Sequence, residues 1–414
     1  MKIALLTYYF SPDQSVGSIR PENWAKWLSE AHDVTVIAPR LAADVGTEDS
    51  VSYRVVRPQS ILLSVLEYVN LFRKKIRKKV QVSSSVSIGK QKKKTTGVLT
   101  YRMPCLHDLW FFSSYAALKR INPEIIIATH GPYINIVVSW WYVKRRSDKL
   151  LWVDFRDLWT ENHRTIGFPG LRNIEKFLEN KILNSAQVVT SVSNFLCHKL
   201  RMAGAKKPQL VYNAPVSIMS ENVHNKEQQA CLSFCYVGTL YPEWQNPSPF
   251  FKLLQEELRS CELNCPKMRI YFASRNAGNF LSLADEFGVR ELIDYRGAVS
   301  REESLALQQQ SDILLLLESN VPEARGVLTG KVFEYLMTDK PILLVGPGPD
   351  SELYQLLQKH DRLFTLDDLE RFLRGEVKTL PKGEPVDYSE ISRGQLLAIM
   401  ESLEAKAGNG VENA

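Results

Sequence analysis

The stretch KIALLTYYFSPDQSVGSIRPENWAKWLSEAHDVTVIA, Lys2–Ala38, decides the fold. It opens on Lys2–Tyr9, an apolar run with the length of a buried strand. Pro12 and Gly17 then punctuate the chain before Arg20–Ala31, a segment that places Trp24, Trp27 and Leu28 on one face of a helix. Asp33–Ala38 is a second short strand run. Strand, loop, helix and strand in that order make a βαβ unit, whose strands lie parallel in one sheet.

The alternation continues downstream. Ile125–Ala128, Leu151–Phe155 and Val188–Val192 read as strands, separated by helices such as Ile134–Arg145 and Ile174–Leu183. The polar segment Asn213–Ala230 contains Pro215, has no apolar period and reads as a linker. The pattern then restarts with strands at Ser233–Val237, Met268–Ala273, Ile293–Arg296, Ile313–Leu317 and Pro341–Val345, and helices at Pro249–Leu258, Phe280–Phe287 and Ser304–Gln309. The expected fold is α/β, with two doubly wound Rossmann-like domains at residues 1–213 and 231–385 joined by a linker at 214–230. Residues 386–414 hold a last helix, Tyr388–Lys406, expected to pack back on the first domain, and then a disordered tail.

Composition agrees with this size. A chain of 414 residues with 44% hydrophobic and 24% charged residues is too long for one core and has the balance of a globular protein. No run reaches the roughly 18–20 apolar residues of a membrane span. The N-terminal run passes into SPDQ without a small-residue cleavage site, so the expected location is the cytoplasm. Cys231/Cys235 and Cys261/Cys265 are spaced by four, but lack Cys-x-x-Cys spacing and histidine partners, which favours reduced thiols over a metal site. The net charge of +6 is concentrated in Arg73, Lys74, Lys75, Arg77, Lys78, Lys79, Lys90, Lys92, Lys93 and Lys94.

Open α/β sheets bind ligands at loops beyond the carboxyl ends of strands, which selects the candidate residues. Gly17 and Ser18 follow the first strand, either to let backbone approach a phosphate or sugar or as a simple turn. His130 follows Ile125–Ala128, as a hydrogen-bonding group or as a loop histidine without a role. After Leu151–Phe155 come Arg156, Asp157, Trp159 and Asn162. Carboxylates there can bind sugar hydroxyls or take protons and Trp159 can stack on a sugar ring, while the structural alternative is an Asp–Arg pair that fastens the loop. Gly238 follows Ser233–Val237. Finally, RGVLTGKVFEY (Arg325–Tyr335) runs a loop with Thr329 into a helix bearing Lys331 and, one turn on, Glu334. That spacing suits a diphosphate at the helix start and a ribose diol at the carboxylate, or equally a Gly-opened helix with a solvated Lys/Glu pair.

Four of these stretches together resemble the GT-B glycosyltransferases, most nearly the family 4 type that builds bacterial surface polysaccharides such as capsule and O-antigen. They are Met1–Arg20, Trp152–Asn162 (an FRDxWxxN-like run), Tyr236–Leu240 (YxGxL) and Gly326–Tyr335 with Lys340-Pro341 (GxxxxKxFEYLxxxKP). The resemblance implies a nucleotide-diphosphate sugar bound by the C-terminal domain, a saccharide acceptor on the N-terminal domain, and reaction in a cleft that the two domains face. It implies that Glu334 binds the ribose, and that Lys331, Arg325, Thr329 and the helix start bind the diphosphate. Gly17 approaches the donor or acceptor and Gly238 the donor, His130 and Asp157 face the transferred sugar or the acceptor hydroxyl, and Arg156, Trp159 and Asn162 bind the acceptor. It implies no cofactor, no metal and retention of anomeric configuration.

Two departures from the family pattern stand out. Gly326 occupies the place where a first glutamate often stands with seven residues between it and the second, with Glu323 nearby but out of register. LYPEWQN (Leu240–Asn246) stands where an Arg/Lys pair is usual. The apolar run Ile61–Phe72 followed by the basic cluster suggests contact of segment 61–94 with an anionic membrane face, or a solvated loop, and its lack of interleaved aromatics argues against nucleic acid. The expected enzyme is therefore a glycosyltransferase peripheral to the inner face of the cytoplasmic membrane, with a lipid-linked acceptor. The alternatives are a UDP-sugar 2-epimerase of the same fold and a degenerate binding partner of another transferase.

Overall fold

The computed structural model describes residues 1–12, 16–39, 52–58, 102–162, 168, 170–215, 231–241, 244–260, 267–319, 321, 326 and 328–411. Glu323, Arg325, segment 61–94, residues 216–230 of the linker, Cys261, Cys265 and the last three residues lie outside them. The chain divides into two compact units, Met1–Ala214 with Ser392–Ala414, and Pro215–Ile391.

The first unit is built on a parallel sheet of β1 (Lys2–Leu6), β2 (Asp33–Ile37), β3 (Arg54–Val56), β4 (Ile125–Thr129), β5 (Leu150–Phe155), β6 (Val188–Ser191) and β7 (Gln209–Leu210). The order across the sheet is β3-β2-β1-β4-β5-β6-β7. β1 sits between β2 and β4, with Ile3 opposite Val34 on one side and Ile125 on the other. Successive side chains of a strand point to opposite faces. Ala4, Leu6, Ile126 and Val153 accordingly join a core with α2 (Trp110–Ile121), α3 (Ile134–Val143), α4 (Arg172–Ser185) and α5 (Asn194–Met202). Ile3, Leu5, Ile127 and Trp152 face the other way, onto Trp24, Trp27 and Leu28 of α1 (Val16–Leu28). Leu396, Ile399, Met400 and Leu403 of the C-terminal helix complete that second layer.

The second unit repeats the plan. Its parallel sheet runs β10 (Ile293–Gly297), β9 (Lys267–Ala273), β8 (Cys231–Val237), β11 (Ile313–Leu317), β12 (Ile342–Val345) and β13 (Leu363–Phe364), in that order. The connecting helices are α6 (Ser248–Ser260), α7 (Gly278–Glu286), α8 (Arg301–Gln310), α9 (Gly330–Leu336), α10 (Glu352–Lys359) and α11 (Leu366–Leu373). The C-terminal helix α12 (Tyr388–Val411) starts in this unit and continues as part of the first.

In both sheets the chain progresses one way from the first strand and then returns to its other side. The reversal lies between β1 and β4 in one unit and between β8 and β11 in the other. At such a reversal neighbouring loops leave in opposite directions and open a crevice, which is where ligands of doubly wound sheets bind.

α1 begins at Val16, four residues before the start read from sequence, so Pro21 lies inside it. A proline there has no N–H for the carbonyl four residues back, that of Gly17. Another group bonds that carbonyl.

Candidate functional site

In the first unit that group is Arg156, just beyond β5. Its Nη1 donates to the Gly17 carbonyl at 2.7 Å, and its Nε donates to the His130 carbonyl at 3.1 Å. Nη2 reaches the same His130 oxygen. Arg156 thus ties the first turn of α1 to the loop after β4, the segments that follow the two strands bordering the reversal. Gly131 has φ +102°, where a side chain is strained, and a Cβ on it would crowd Arg156 Nη2 at 3.0 Å. Burial lowers the Arg156 pKa. Three N–H groups of Arg156, a residue expected to bind the acceptor, thus serve the protein's own backbone.

Asp154, the last-but-one residue of β5, is fully buried and makes a two-point pair with Arg20, Nε to Oδ2 at 2.9 Å and Nη2 to Oδ1 at 2.8 Å. Thr190 donates to the same carboxylate at 2.8 Å, and Arg20 Nη1 reaches the carbonyls of Val211 and Tyr212 at 2.9 Å. Most polar directions of the pair are therefore used, which is what makes a buried ion pair tolerable.

Trp159, also expected to bind the acceptor, is buried. It is 0% exposed, its ring stacks on Tyr133 at 5.0 Å, and its Nε1 donates to Glu175 at 3.3 Å, which leaves no open face for a sugar. Glu175 in turn pairs with the buried Arg102 at 3.1 Å. Asn162 donates to the Tyr133 hydroxyl at 3.3 Å, and that hydroxyl donates to the Leu158 carbonyl at 2.6 Å. The aromatic, acidic run after β5 is thus largely a fastening for its own loop.

His130 and Asp157 remain. His130 is 6% exposed, its ring lies 4.3 Å from that of Tyr133, and its Nδ1 has no hydrogen-bond partner among the described residues. Burial pushes its pKa down to about 4, against the pull of the Asp157 carboxylate, so the imidazole is neutral at physiological pH. Asp157 is half-buried and close enough to influence that ring.

In the second unit the β8/β11 reversal brings the loop after β8 against α9. Lys331 Nζ donates to the Tyr236 hydroxyl at 2.7 Å and to the Thr239 carbonyl at 3.3 Å, and lies 3.9 Å from the Tyr236 ring centroid. Gly238, at φ +104°, makes room: a Cβ there would stand 2.6 Å from Lys331 Cε. The space expected to admit a phosphate is thus filled in this structure by the lysine stem. Burial pushes the Lys331 pKa down to about 7, opposed by the Glu334 carboxylate and by Cys235.

Glu334, one turn further along α9, accepts from Arg301 Nη1 at 3.0 Å and lies 3.5 Å from Gln308 Nε2. Thr329 caps α9, yet its buried Oγ1 has no partner among the described residues. At seven residues α9 is short, so side chains rather than an axial dipole carry the charge of this site. Arg362 holds the far end of α9, donating to the Lys340 carbonyl at 2.8 Å and to the Tyr335 carbonyl at 3.4 Å. In LYPEWQN, Gln245 is the anchor: Nε2 donates to Leu317 O at 2.8 Å and Oε1 accepts from Tyr241 N at 2.9 Å.

Sequence reasoning thus singled out Gly238, Thr329, Lys331 and Glu334, which fall on two adjoining segments, and passed over Tyr236 and Arg301. Tyr236 stood inside a recognised stretch without a role. Arg301 had no motif; its one signal is its position just after Ser300, a helix-capping residue. Among the described residues no cluster of three or more His, Cys, Asp or Glu side chains is arranged to hold a metal ion, and no helix is long and apolar enough to cross a membrane.

No family model and no curated protein matches the sequence. Solved structures do match. A sucrose-phosphate synthase from Thermosynechococcus elongatus aligns over 99% of this chain and 98% of its own, with a TM-score of 0.57 and 12% identity. The apo lipopolysaccharide outer core galactosyltransferase WaaB aligns over 96% of this chain and 94% of its own, with a TM-score of 0.52 and 16% identity. A UDP-N-acetylglucosamine 2-epimerase aligns over 98% and 96%, with a TM-score of 0.50 and 10% identity. Identities this low establish the fold, which is GT-B: two Rossmann-like parallel α/β units.

Proposed function

We propose that this chain is a glycosyltransferase that moves a sugar from a nucleoside-diphosphate sugar to a saccharide acceptor. The observation that carries the reading is the placement of Lys331 and Glu334 on one short helix at the sheet reversal of the second unit, with Lys331 lodged beside Gly238. In this reading the Lys331 ammonium offsets the charge that develops on the diphosphate as the sugar departs, and Arg325 adds a second cation. Glu334 accepts the ribose hydroxyls, and the Thr329 hydroxyl donates to a phosphate oxygen. Protein cations take the part that a metal plays elsewhere, so the reaction proposed is metal-independent.

The first unit handles the acceptor in this scheme, with Asp157 and the neutral His130 nearest the chemistry and Arg156 holding their loops in place. Synthesis of a bacterial surface polysaccharide on a lipid-linked acceptor, with retention at the anomeric carbon, belongs to the same proposal. So does contact of segment 61–94 with the inner membrane face. The polybasic run after an apolar segment and the likeness to a lipopolysaccharide galactosyltransferase support it.

A thermal-shift panel of nucleoside diphosphates and their sugars tests the donor site, because a ligand of the native state raises the melting temperature. Wild-type protein should respond to at least one nucleotide, and Glu334→Ala should lose the response while keeping its fold. Unchanged nucleotide affinity in Glu334→Ala would sink the assignment. The likeness to a 2-epimerase favours one second reading, conversion of a UDP-sugar without an acceptor. Incubation with nucleotide sugar alone separates the two: an epimerised product would replace the transferase reading.

A further inference from the structure

We infer that Arg301 is a positioning residue that holds Glu334 for an intact ribose, so that the site takes ribonucleoside rather than 2′-deoxyribonucleoside diphosphates. The inference rests on the nucleotide-binding reading above and names the nucleotide class of that same site.

Arg301 opens α8, the helix after β10, and its place is set by Ser300, whose hydroxyl accepts the Glu303 N–H at 3.1 Å. From there Nη1 meets Glu334 Oε1 at 3.0 Å, with the side chains 31% and 19% exposed. Gln308, nearly two turns along the same helix and 1% exposed, points Nε2 at the other oxygen, Glu334 Oε2, at 3.5 Å. The same amide is steadied by Ser304 Oγ at 3.3 Å. One helix therefore approaches both oxygens of a carboxylate carried by another.

An ionised carboxylate has about four lone-pair directions. One charge-assisted bond and one long contact leave about two, the number a vicinal diol requires. The terminal torsion of a free glutamate is broad, so an unrestrained Glu334 could turn to satisfy a single hydroxyl as well as two. Pinned from α8, it presents both acceptors in one geometry. A nucleotide without the 2′-hydroxyl then leaves one acceptor of a largely buried group unmatched. Sites built to bond a hydroxyl discriminate against analogues lacking it, and for a carboxylate that keeps some solvent we expect a ratio of about tenfold to a hundredfold.

The experiment is calorimetric titration of UDP, GDP, ADP and CDP, followed by the 2′-deoxy counterpart of whichever binds, on wild type, Arg301→Gln and Arg301→Lys. The expected result is a ribo-to-deoxy preference of about tenfold or more in wild type. It should fall to within about threefold in Arg301→Gln and be intermediate in Arg301→Lys, whose ammonium is a point charge rather than a fork. A general loosening of the fold would weaken both nucleotides alike and leave their ratio unchanged. An unchanged ratio in folded Arg301→Gln overturns the inference and leaves nucleotide binding standing, as does a wild type that binds both forms equally. A wild type that binds no nucleoside diphosphate removes both readings. If Arg301→Gln fails to fold, the ratios of wild type and Arg301→Lys decide.

Discussion

Arg156 Nη1 donates at 2.7 Å to the carbonyl oxygen of Gly17, the one helix carbonyl that Pro21 has no N–H to reach. A residue 139 positions away thus replaces the missing bond of α1, and its other donors fix the His130 loop. Removing a charged donor from such a contact costs about 1.5–3 kcal/mol. Arg156→Ala should destabilise the first unit by about that much in urea unfolding. Pro21→Ala supplies a backbone donor for Gly17, so in that background the same substitution should cost about 1 kcal/mol less, as a double-mutant cycle reports. Strict additivity would show that the two residues do not share that carbonyl.

The Arg20–Asp154 pair gives a stability test inside the Trp152–Asn162 stretch, which the sequence left open between ligand binding and a structural Asp–Arg pair. Breaking a buried pair leaves one charge uncompensated, at about 3–5 kcal/mol. Asp154→Ala should show a loss of that order, or fail to accumulate as folded protein. Asp33→Ala provides the control, because its partner Arg54 lies 2.8 Å away with both side chains more than half exposed, and such pairs contribute about 1 kcal/mol at most. Equal effects would mean that Asp154 is not the anchor described.

The proposed contact between Lys331 and a diphosphate would make nucleotide binding proton-linked. Its pKa is about 7 in the unliganded protein, and a diphosphate favours the charged form. Binding above pH 7 therefore takes up a proton, and affinity falls as pH rises from about 7, by at most tenfold per unit. Calorimetric titration at pH 8 in two buffers of different ionisation enthalpy should reveal uptake approaching one proton. Lys331→Met should abolish the uptake and weaken binding. Pure pH independence across this range would place the diphosphate away from Lys331.

His130 tests burial rather than catalysis. Its folded pKa of about 4 lies below the ordinary histidine value of 6.5, so between these pH values the unfolded chain holds more protons. Its contribution to stability is present above pH 6.5 and is lost as pH falls towards 4. The difference in unfolding free energy between wild type and His130→Gln, followed from pH 7 to pH 4, should shrink as the pH drops. A constant difference would mean that the ring is solvated.

How far the sequence could be read follows the range of the interactions. Ile125–Ala128, Leu151–Phe155 and Ile313–Leu317 declare themselves as buried parallel strands because an apolar run between turn signals is a local property. The start of α1 does not, since the partner of its broken hydrogen bond lies beyond β5. Trp159 and Asp154 show the same limit in the site. A dense polar and aromatic run looks identical in one dimension whether its groups face a ligand or each other. Here Tyr133 covers the tryptophan and Arg20 absorbs the carboxylate.

By itself the sequence determined the two α/β units, the strand-end loops that carry candidate chemistry, and the spacing of Lys331 and Glu334 along one short helix. Those are matters of periodicity, punctuation and local turn geometry. Only the tertiary structure decided which loops meet. The sheet order reverses between β1 and β4 and between β8 and β11, and that reversal sets Arg156 across Gly17 and His130, Lys331 over Tyr236, and Arg301 against Glu334. Strand order is settled by how whole layers pack, so the partners of a charged side chain come from segments that its own neighbours in the chain do not specify.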